Sequence, residues 1–397
     1  MRFLLIFIFI FLNAQNLEVI KYVSNTKPTI DIEYVNLPQK LKKLISIDAN
    51  IVSHYNIDFQ SQIPDLTTPL GDYKANYLLR LDFKNNTLSA ILYDLSSSNI
   101  IFSKRYKISS FNYYPFAIHT LNYDINQALG FKPIKWITKK LIYSVYMAPK
   151  EESIFISDIT LTYRKKIISG GLNIFPKWAN SKQTAIYYTK LENMPVLYKY
   201  NIFTGKKTRI LSSPGMLIVS DVKGDNLLLT LAINDQPDIY KYNTKTHSLK
   251  RITKYSGIDV NGQFYDNNKI VFISDRLGYP NVYQKNLDTG SIQRVIYHGK
   301  NHVSVSAYKN KIVVSTRETN KAFGYNTFNL LLIDKNTSFV KRLTFGGKNI
   351  LPTFSHDGST IFFLKQYKFN SKLGIIRLKE NKIFYFRLNK EIASFDF

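Results

Sequence analysis

The chain has 397 residues, 45% of them hydrophobic, which excludes a disordered polymer and leaves room for two or three domains with buried cores. Its 54 basic and 28 acidic residues give a net charge of +26, yet the lysines are spread along the sequence with no block of five or six. That spread reads as a solubilising surface, with weak attraction to acidic partners or envelope polymers as the lesser reading, and it excludes a nucleic-acid partner from expectation.

Met1 and Arg2 form a positive start, residues 3–12 are an unbroken apolar run, and Ala14 is small enough to precede a cleavage site. A secretory signal peptide over residues 1–14 is expected. As a helix the ten-residue run would rise only about 15 Å, roughly half a bilayer core, too short for an anchor. Export permits disulfides, but the chain has no cysteine, so neither a disulfide nor a lipid-modified N-terminal cysteine is available. No later stretch approaches the length of a membrane span, and a soluble exported monomer is expected.

Residues 15–136 read as a small α/β domain. Residues 29–35 alternate as a short strand. Residues 38–54 read as a helix opened by Pro38, with Leu41, Leu44, Ile45 and Ala49 on one face. Residues 77–83, 88–95 and 100–108 read as an antiparallel meander. Residues 114–129 form a second helical pattern, with Ile118, Leu121, Ile125 and Leu129 in phase and Gly130 as its stop.

From about Trp136 the helical period vanishes and an internal repeat begins. Pro195-x-Leu-Tyr198-x-x-Asn201 recurs as Pro237-x-Ile-Tyr240-x-x-Asn243 and Pro280-x-Val-Tyr283-x-x-Asn286, with the tyrosines 42 and 43 residues apart. A Thr follows each Asn by three residues (Thr204, Thr246, Thr289) and an Arg by eight (Arg209, Arg251, Arg294). Asp334, Thr337 and Arg342 make a partial fourth copy. An upstream hairpin precedes each copy, so one unit is four antiparallel strands in about 43 residues, the size of a propeller blade. Six such units fit residues 137–397. The expected fold is mainly β: a six-bladed β-propeller preceded by a small α/β domain, with the ring closed by strands from its two chain ends, since an open ring leaves bare edges.

The repeats resemble those of the TolB family. Ser274-Asp-Arg-Leu-Gly-Tyr-Pro-Asn-Val-Tyr283 is similar to that family's S-D-R-x-G-x-P-x-[IV]-Y signature, and Pro352-Thr-Phe-Ser-His-Asp-Gly358 to its P-x-[WF]-S-x-D-G blade opening. Phe175-Pro-Lys-Trp-Ala179 is a weaker version of that opening. The order of signal peptide, α/β domain and propeller fits the family too. The resemblance implies a periplasmic scaffold of the Tol–Pal system, without cofactor, linking the peptidoglycan-associated lipoprotein Pal to TolA in outer-membrane integrity and cell division. It implies that the TolA contact lies in the N-terminal segment, at Leu17, Glu18, Val19 and Ile20, by strand addition. It places the Pal contact on the connections between blades, at residues 171–175, 214–217, 257–260, 299–303 and 346–351. There Leu172, Ile174, Met216, Ile258 and Ile350 are expected as apolar tips, and Asn173, Asp259, His302 and Asn349 as orienting polar groups.

Catalytic signals are weak. No G-x-S-x-G, P-loop, G-x-G-x-x-G or H-E-x-x-H is present. His298 and His302 stand four apart but read as exposed loop residues, so no metal site is expected. Glu151 and Glu152 read as a solvated pair without the opposed environments of a catalytic dyad. The rival readings are a propeller-type enzyme, as a degenerate peptidase or lyase, and a propeller that binds a glycan or another polyanion.

Overall fold

The computed structural model describes residues 27–319, 326–337, 339–368 and 370–397, leaving aside the Lys300 side chain. The expected signal peptide and the segment carrying Leu17, Glu18, Val19 and Ile20 lie outside the described residues.

The first domain comprises β1 (Thr29–Tyr34), α1 (Gln39–Val52), β2 (Asn56–Gln62), β3 (Tyr77–Lys84), β4 (Thr87–Asp94), β5 (Asn99–Lys107) and α2 (Tyr114–Ala128). Its strand order is β2-β1-β3-β4-β5, with β1 parallel to both β2 and β3. The expected meander is therefore only three strands of a five-stranded mixed sheet. Pro38 precedes the first turn of α1, whose buried face carries Leu41, Leu44, Ile45 and Ala49, and the helix stops at left-handed Ser53. Pro115 opens α2, which buries Ile118, Leu121 and Ile125, and Gly130, at φ 72°, turns the chain away.

The rest of the chain is strands. Blade 1 holds β6 (Leu141–Ala148), β7 (Glu151–Ser157) and β8 (Arg164–Ile168). Blade 2 is β9 (Leu172–Trp178), β10 (Ala185–Leu191), β11 (Pro195–Asn201) and β12 (Lys207–Ser212). Blade 3 is β13 (Leu217–Lys223), β14 (Asn226–Ile233), β15 (Gln236–Asn243) and β16 (Leu249–Arg251). Blade 4 is β17 (Asp259–Phe264), β18 (Lys269–Ser274), β19 (Asn281–Asn286) and β20 (Ile292–Arg294). Blade 5 is β21 (Lys300–Tyr308), β22 (Lys311–Arg317), β23 (Phe328–Asp334) and β24 (Val340–Arg342). Blade 6 is β25 (Lys348–Phe354), β26 (Thr360–Gln366), β27 (Ser371–Arg377) and β28 (Lys382–Leu388). The last strand, β29 (Ile392–Asp396), pairs antiparallel with β6 and completes blade 1 from the far end of the chain. The innermost strands β9, β13, β17, β21, β25 and β29 each contact the next, and β29 returns to β9, so the ring is closed.

The repeat residues explain themselves locally. Asn201 Oδ1 accepts the backbone N–H groups of Phe203 and Thr204, Asn243 Oδ1 those of Lys245 and Thr246, and Asn286 Oδ1 those of Asp288 and Thr289. Each side chain closes the turn between the third and fourth strands of its blade. Asp334 does the same for Asn336 in blade 5. The repeat arginines make structural contacts: Arg251 pairs with Asp238, Arg342 with Glu318, Arg294 donates to the Ile296 carbonyl, and Arg209 to Ser212.

The α/β domain sits over blades 1 and 6 and shares one apolar core with them, from Leu41, Ile45 and Leu121 through Trp136 to Phe362, Leu373 and Ile392. Two polar clusters pin the seam. In one, His119 of α2 lies fully buried between Asp48 of α1 (2.6 Å) and Asp158, just past β7 (3.2 Å). In the other, Arg377 bonds Glu380 at 2.8 Å and the Ile51 carbonyl, while His54 reaches Glu380 at 3.2 Å.

Candidate functional site

Strand alternation puts every blade-to-blade connection on one face of the ring and the α/β domain on the other. On the connection face the channel opens into a cavity of about 310 Å³. All six blades line it, with Phe175, Met216, Ser220, Val260, Val303, Leu351 and Phe395 among the contributors. Its walls come from short consecutive runs of the innermost strands, such as residues 175–177, 218–220, 303–305 and 351–353. Phe175, Asn261 and Leu351 line the cavity with left-handed backbone, at φ 52°, 56° and 52°, beside register shifts in β9, β17 and β25. Such a conformation strains a bulky residue and re-aims its side chain, a device that clusters at binding sites.

Deeper in, Lys177 pairs with Asp396 at 2.8 Å, and Asp396 also accepts the Trp178 N–H. Burial opposes the Lys177 charge, but Asp396 and Asp221 outweigh it and hold the ammonium above its ordinary range. Asp221 is pushed up by burial and accepts the Phe264 N–H at 2.8 Å.

On the connection face, large apolar side chains stand in solvent, and Met216 and Val303 among them also line the cavity. Met216, Ile258 and Val303 are each 45% exposed, Leu277 58%, Tyr297 73% and Phe345 71%. All six belong to the connections or to the hairpin turns of the same face. The Ser274-Asp275-Arg276 signature builds part of this rim. Asp275 Oδ1 accepts the Ile258 N–H at 2.8 Å, and Arg276 grips both carboxylate oxygens of buried Asp259 at 3.1 and 3.0 Å. A Cβ at Gly257 would meet Asp275 Oδ1 at 2.3 Å, so a bare backbone is needed there. The motif thus aims Ile258 outward.

The expected site residues separate by register. Met216 lines the cavity, and Ile258 stands exposed beside it. Leu172, Ile174 and Ile350 are half-buried, and Ile350 packs on the main core. Asn173, Asp259, His302 and Asn349 occupy one equivalent position near the start of four innermost strands, and all four are buried in the joints between blades. Asn173 Nδ2 donates to the carbonyls of Glu152, Gly170 and Gly171, and Asn349 Nδ2 to those of Phe328 and Gly346. Asn173 and Asn349 thereby fix their connections, Asp259 is held by Arg276, and His302 is buried at the equivalent position. His302 is not the exposed loop residue expected: it lies inside β21, and burial, reinforced by the Arg294 charge, lowers its pKa to about 4. His298 is exposed. Glu152 is likewise no solvated loop residue, since it lies in β7, is buried, and is pushed up by desolvation. Val303, Leu351, Tyr297 and Phe345 were not singled out from the sequence. Val303 and Leu351 end the connections 299–303 and 346–351 that the sequence marks, whereas Tyr297 and Phe345 are single loop aromatics with no pattern.

Among the described residues no helix is long and apolar enough to cross a membrane. The model of the TolB beta propeller domain matches residues 138–385. The chain is 39% identical to the Tol-Pal system protein TolB of Helicobacter hepaticus over 96% of its own length and 94% of that protein. It is 36% identical to the Tol-Pal system protein TolB of Helicobacter pylori strain HPAG1 over the full length of both. Among solved structures it is similar to TolB from Acinetobacter baumannii, with a TM-score of 0.76 and 21% identity over 94% of this chain and 96% of that one, a likeness of fold. A propeller with this domain order, matched along its whole length by such relatives, belongs to the TolB family.

Proposed function

We propose that the chain is a periplasmic, non-catalytic scaffold of the Tol–Pal system that holds Pal at the channel mouth and TolA at its N-terminal segment. The observation that carries the Pal contact is the rim of exposed apolar side chains around a cavity that all six blades line. A partner segment entering there buries Met216, Ile258 and Val303 at about 25 cal/mol per Å² of apolar surface. Leu172, Ile174 and Ile350 back the rim, and Asn173, Asp259, His302 and Asn349 act by holding the connections in shape. The TolA contact is the reading that the family resemblance suggests, with Leu17, Glu18, Val19 and Ile20 adding as a strand to the partner's sheet. A non-catalytic role fits the Asp–His constellation of the described residues, because Asp48, His119 and Asp158 are fully buried and beyond the reach of a substrate.

The test is the double variant Met216→Glu, Ile258→Glu, titrated with purified Pal. Both side chains are exposed, so folding is spared, and the affinity should fall about tenfold or more. Unchanged affinity in a variant with wild-type melting would place the Pal contact elsewhere.

A further inference from the structure

The face opposite the channel mouth carries a second cavity, of about 690 Å³, beside the area covered by the α/β domain. It lies among the turns of blades 3, 4 and 5. Lys223, Lys269, Lys309 and Lys335 line it, against the single lining carboxylate of Asp266. Among the described residues none of the four lysines is within ion-pair distance of a carboxylate. Two of them have neutral side-chain partners: Lys335 Nζ donates to Gln284 Oε1, and Lys223 Nζ reaches Asn267 Oδ1 at 3.5 Å. The adjacent carboxylate, Asp334, is already engaged by Asn310 at 2.7 Å and by the Asn336 N–H. Burial and the neighbouring Lys269 charge both lower the proton affinity of Lys335.

Like charges gathered in a partly desolvated cleft repel one another, Asp266 offsets only part of that repulsion, and a bound anion relieves the rest. The three blades repeat the placement, with Lys223, Lys269 and Lys309 each at or beside a first-hairpin turn of its blade. We propose that this cleft binds a multiply charged phosphate ligand, of which a diphosphate is the smallest. Four ammonium groups against one carboxylate balance a diphosphate far better than a monoanion. Lysine donates as a compact point charge to phosphate oxygen, and the amides of Asn267 and Asn336 supply further donors. Because the cleft is on the far side of the ring from the apolar rim, both faces can be occupied together.

Calorimetric titration with sodium pyrophosphate at neutral pH and low ionic strength tests this. Saturable binding near one equivalent is expected, weakening as salt is added and at least about tenfold tighter than orthophosphate. Lys223→Ala with Lys309→Ala, both exposed turn residues, should reduce pyrophosphate affinity about tenfold without moving the melting temperature. A matched pair on α1, Lys40→Ala with Lys43→Ala, should leave it unchanged. The proposal is overturned if binding is not saturable, takes up many equivalents, or falls equally in the α1 pair.

Discussion

Replacing His119 by leucine tests how the α/β domain is locked to the propeller. His119 donates from one ring nitrogen to Asp48 and from the other to Asp158, and all three side chains are fully buried. Burial opposes the imidazolium, but the two carboxylates outweigh it and hold its pKa up at about 10. Asp158 stays ionised below the usual carboxylate range, since His119, Thr160 and the Tyr163 N–H all donate to it against the cost of burial. Asp48, with one oxygen unpartnered, is pushed up by burial. Leucine fills the space and removes the only cation, leaving an ionised buried carboxylate that costs about 3–5 kcal/mol. With an unfolding entropy of about 2.1 cal/mol/K per residue, a chain of this size should lose about 4–6 °C in Tm near pH 6. The pH dependence carries the sign. A histidine raised from 6.5 to about 10 contributes fully below pH 6.5 and loses its contribution as pH rises towards 10, up to about 5 kcal/mol in all. Calorimetry of both proteins between pH 6 and 10 should therefore show the gap narrowing as the wild type weakens. A His119→Leu variant that melts with the wild type at pH 6, or a gap independent of pH, would refute the reasoning.

Two further outcomes follow from the ring. Deleting residues 392–397 removes β29, bares the edge of β6 and strips Asp396 from Lys177 and Trp178, so thermal unfolding should begin far below that of the full chain; an unchanged melt would show that the ring does not depend on its closing strand. His302, neutral in the fold with a pKa of about 4 against 6.5 when unfolded, contributes stability that is complete above pH 6.5 and lost as pH falls towards 4, by about 3 kcal/mol. His302→Asn, the residue found at the equivalent positions 173 and 349, should remove that acid-side slope in urea titrations at pH 7 and pH 4.5.

The repeat made the propeller legible because each blade solves the same problem with the same residues. Asn201, Asn243 and Asn286 must each cap a turn, and the need recurs at a fixed spacing. The strand β2 leaves little trace in the sequence because only Ile57 and Phe59 alternate before a polar end, as suits an exposed sheet edge. His302 looks like a loop residue for a different reason. Gly299 and Asn301 have positive φ and look like loop residues, yet they flank register shifts within a strand, and a bulge carries the same signals as a loop. The polar residues of the connections read as mouth residues because the sequence names the loop but not its facing. One residue decides whether a side chain enters the channel or the joint between blades. The seam between the domains was invisible, since Arg377 and Ile51, or His119 and Asp158, come together only through the complete fold.

Hydrogen exchange of the full chain with and without Pal bears most directly on the scaffold reading. Protection should appear in the connections that carry Met216, Ile258, Val303 and Phe345 and spare the turns around Lys223, Lys269 and Lys309. Protection confined to those turns or to the α/β domain, with the rim exchanging as freely as before, would contradict it.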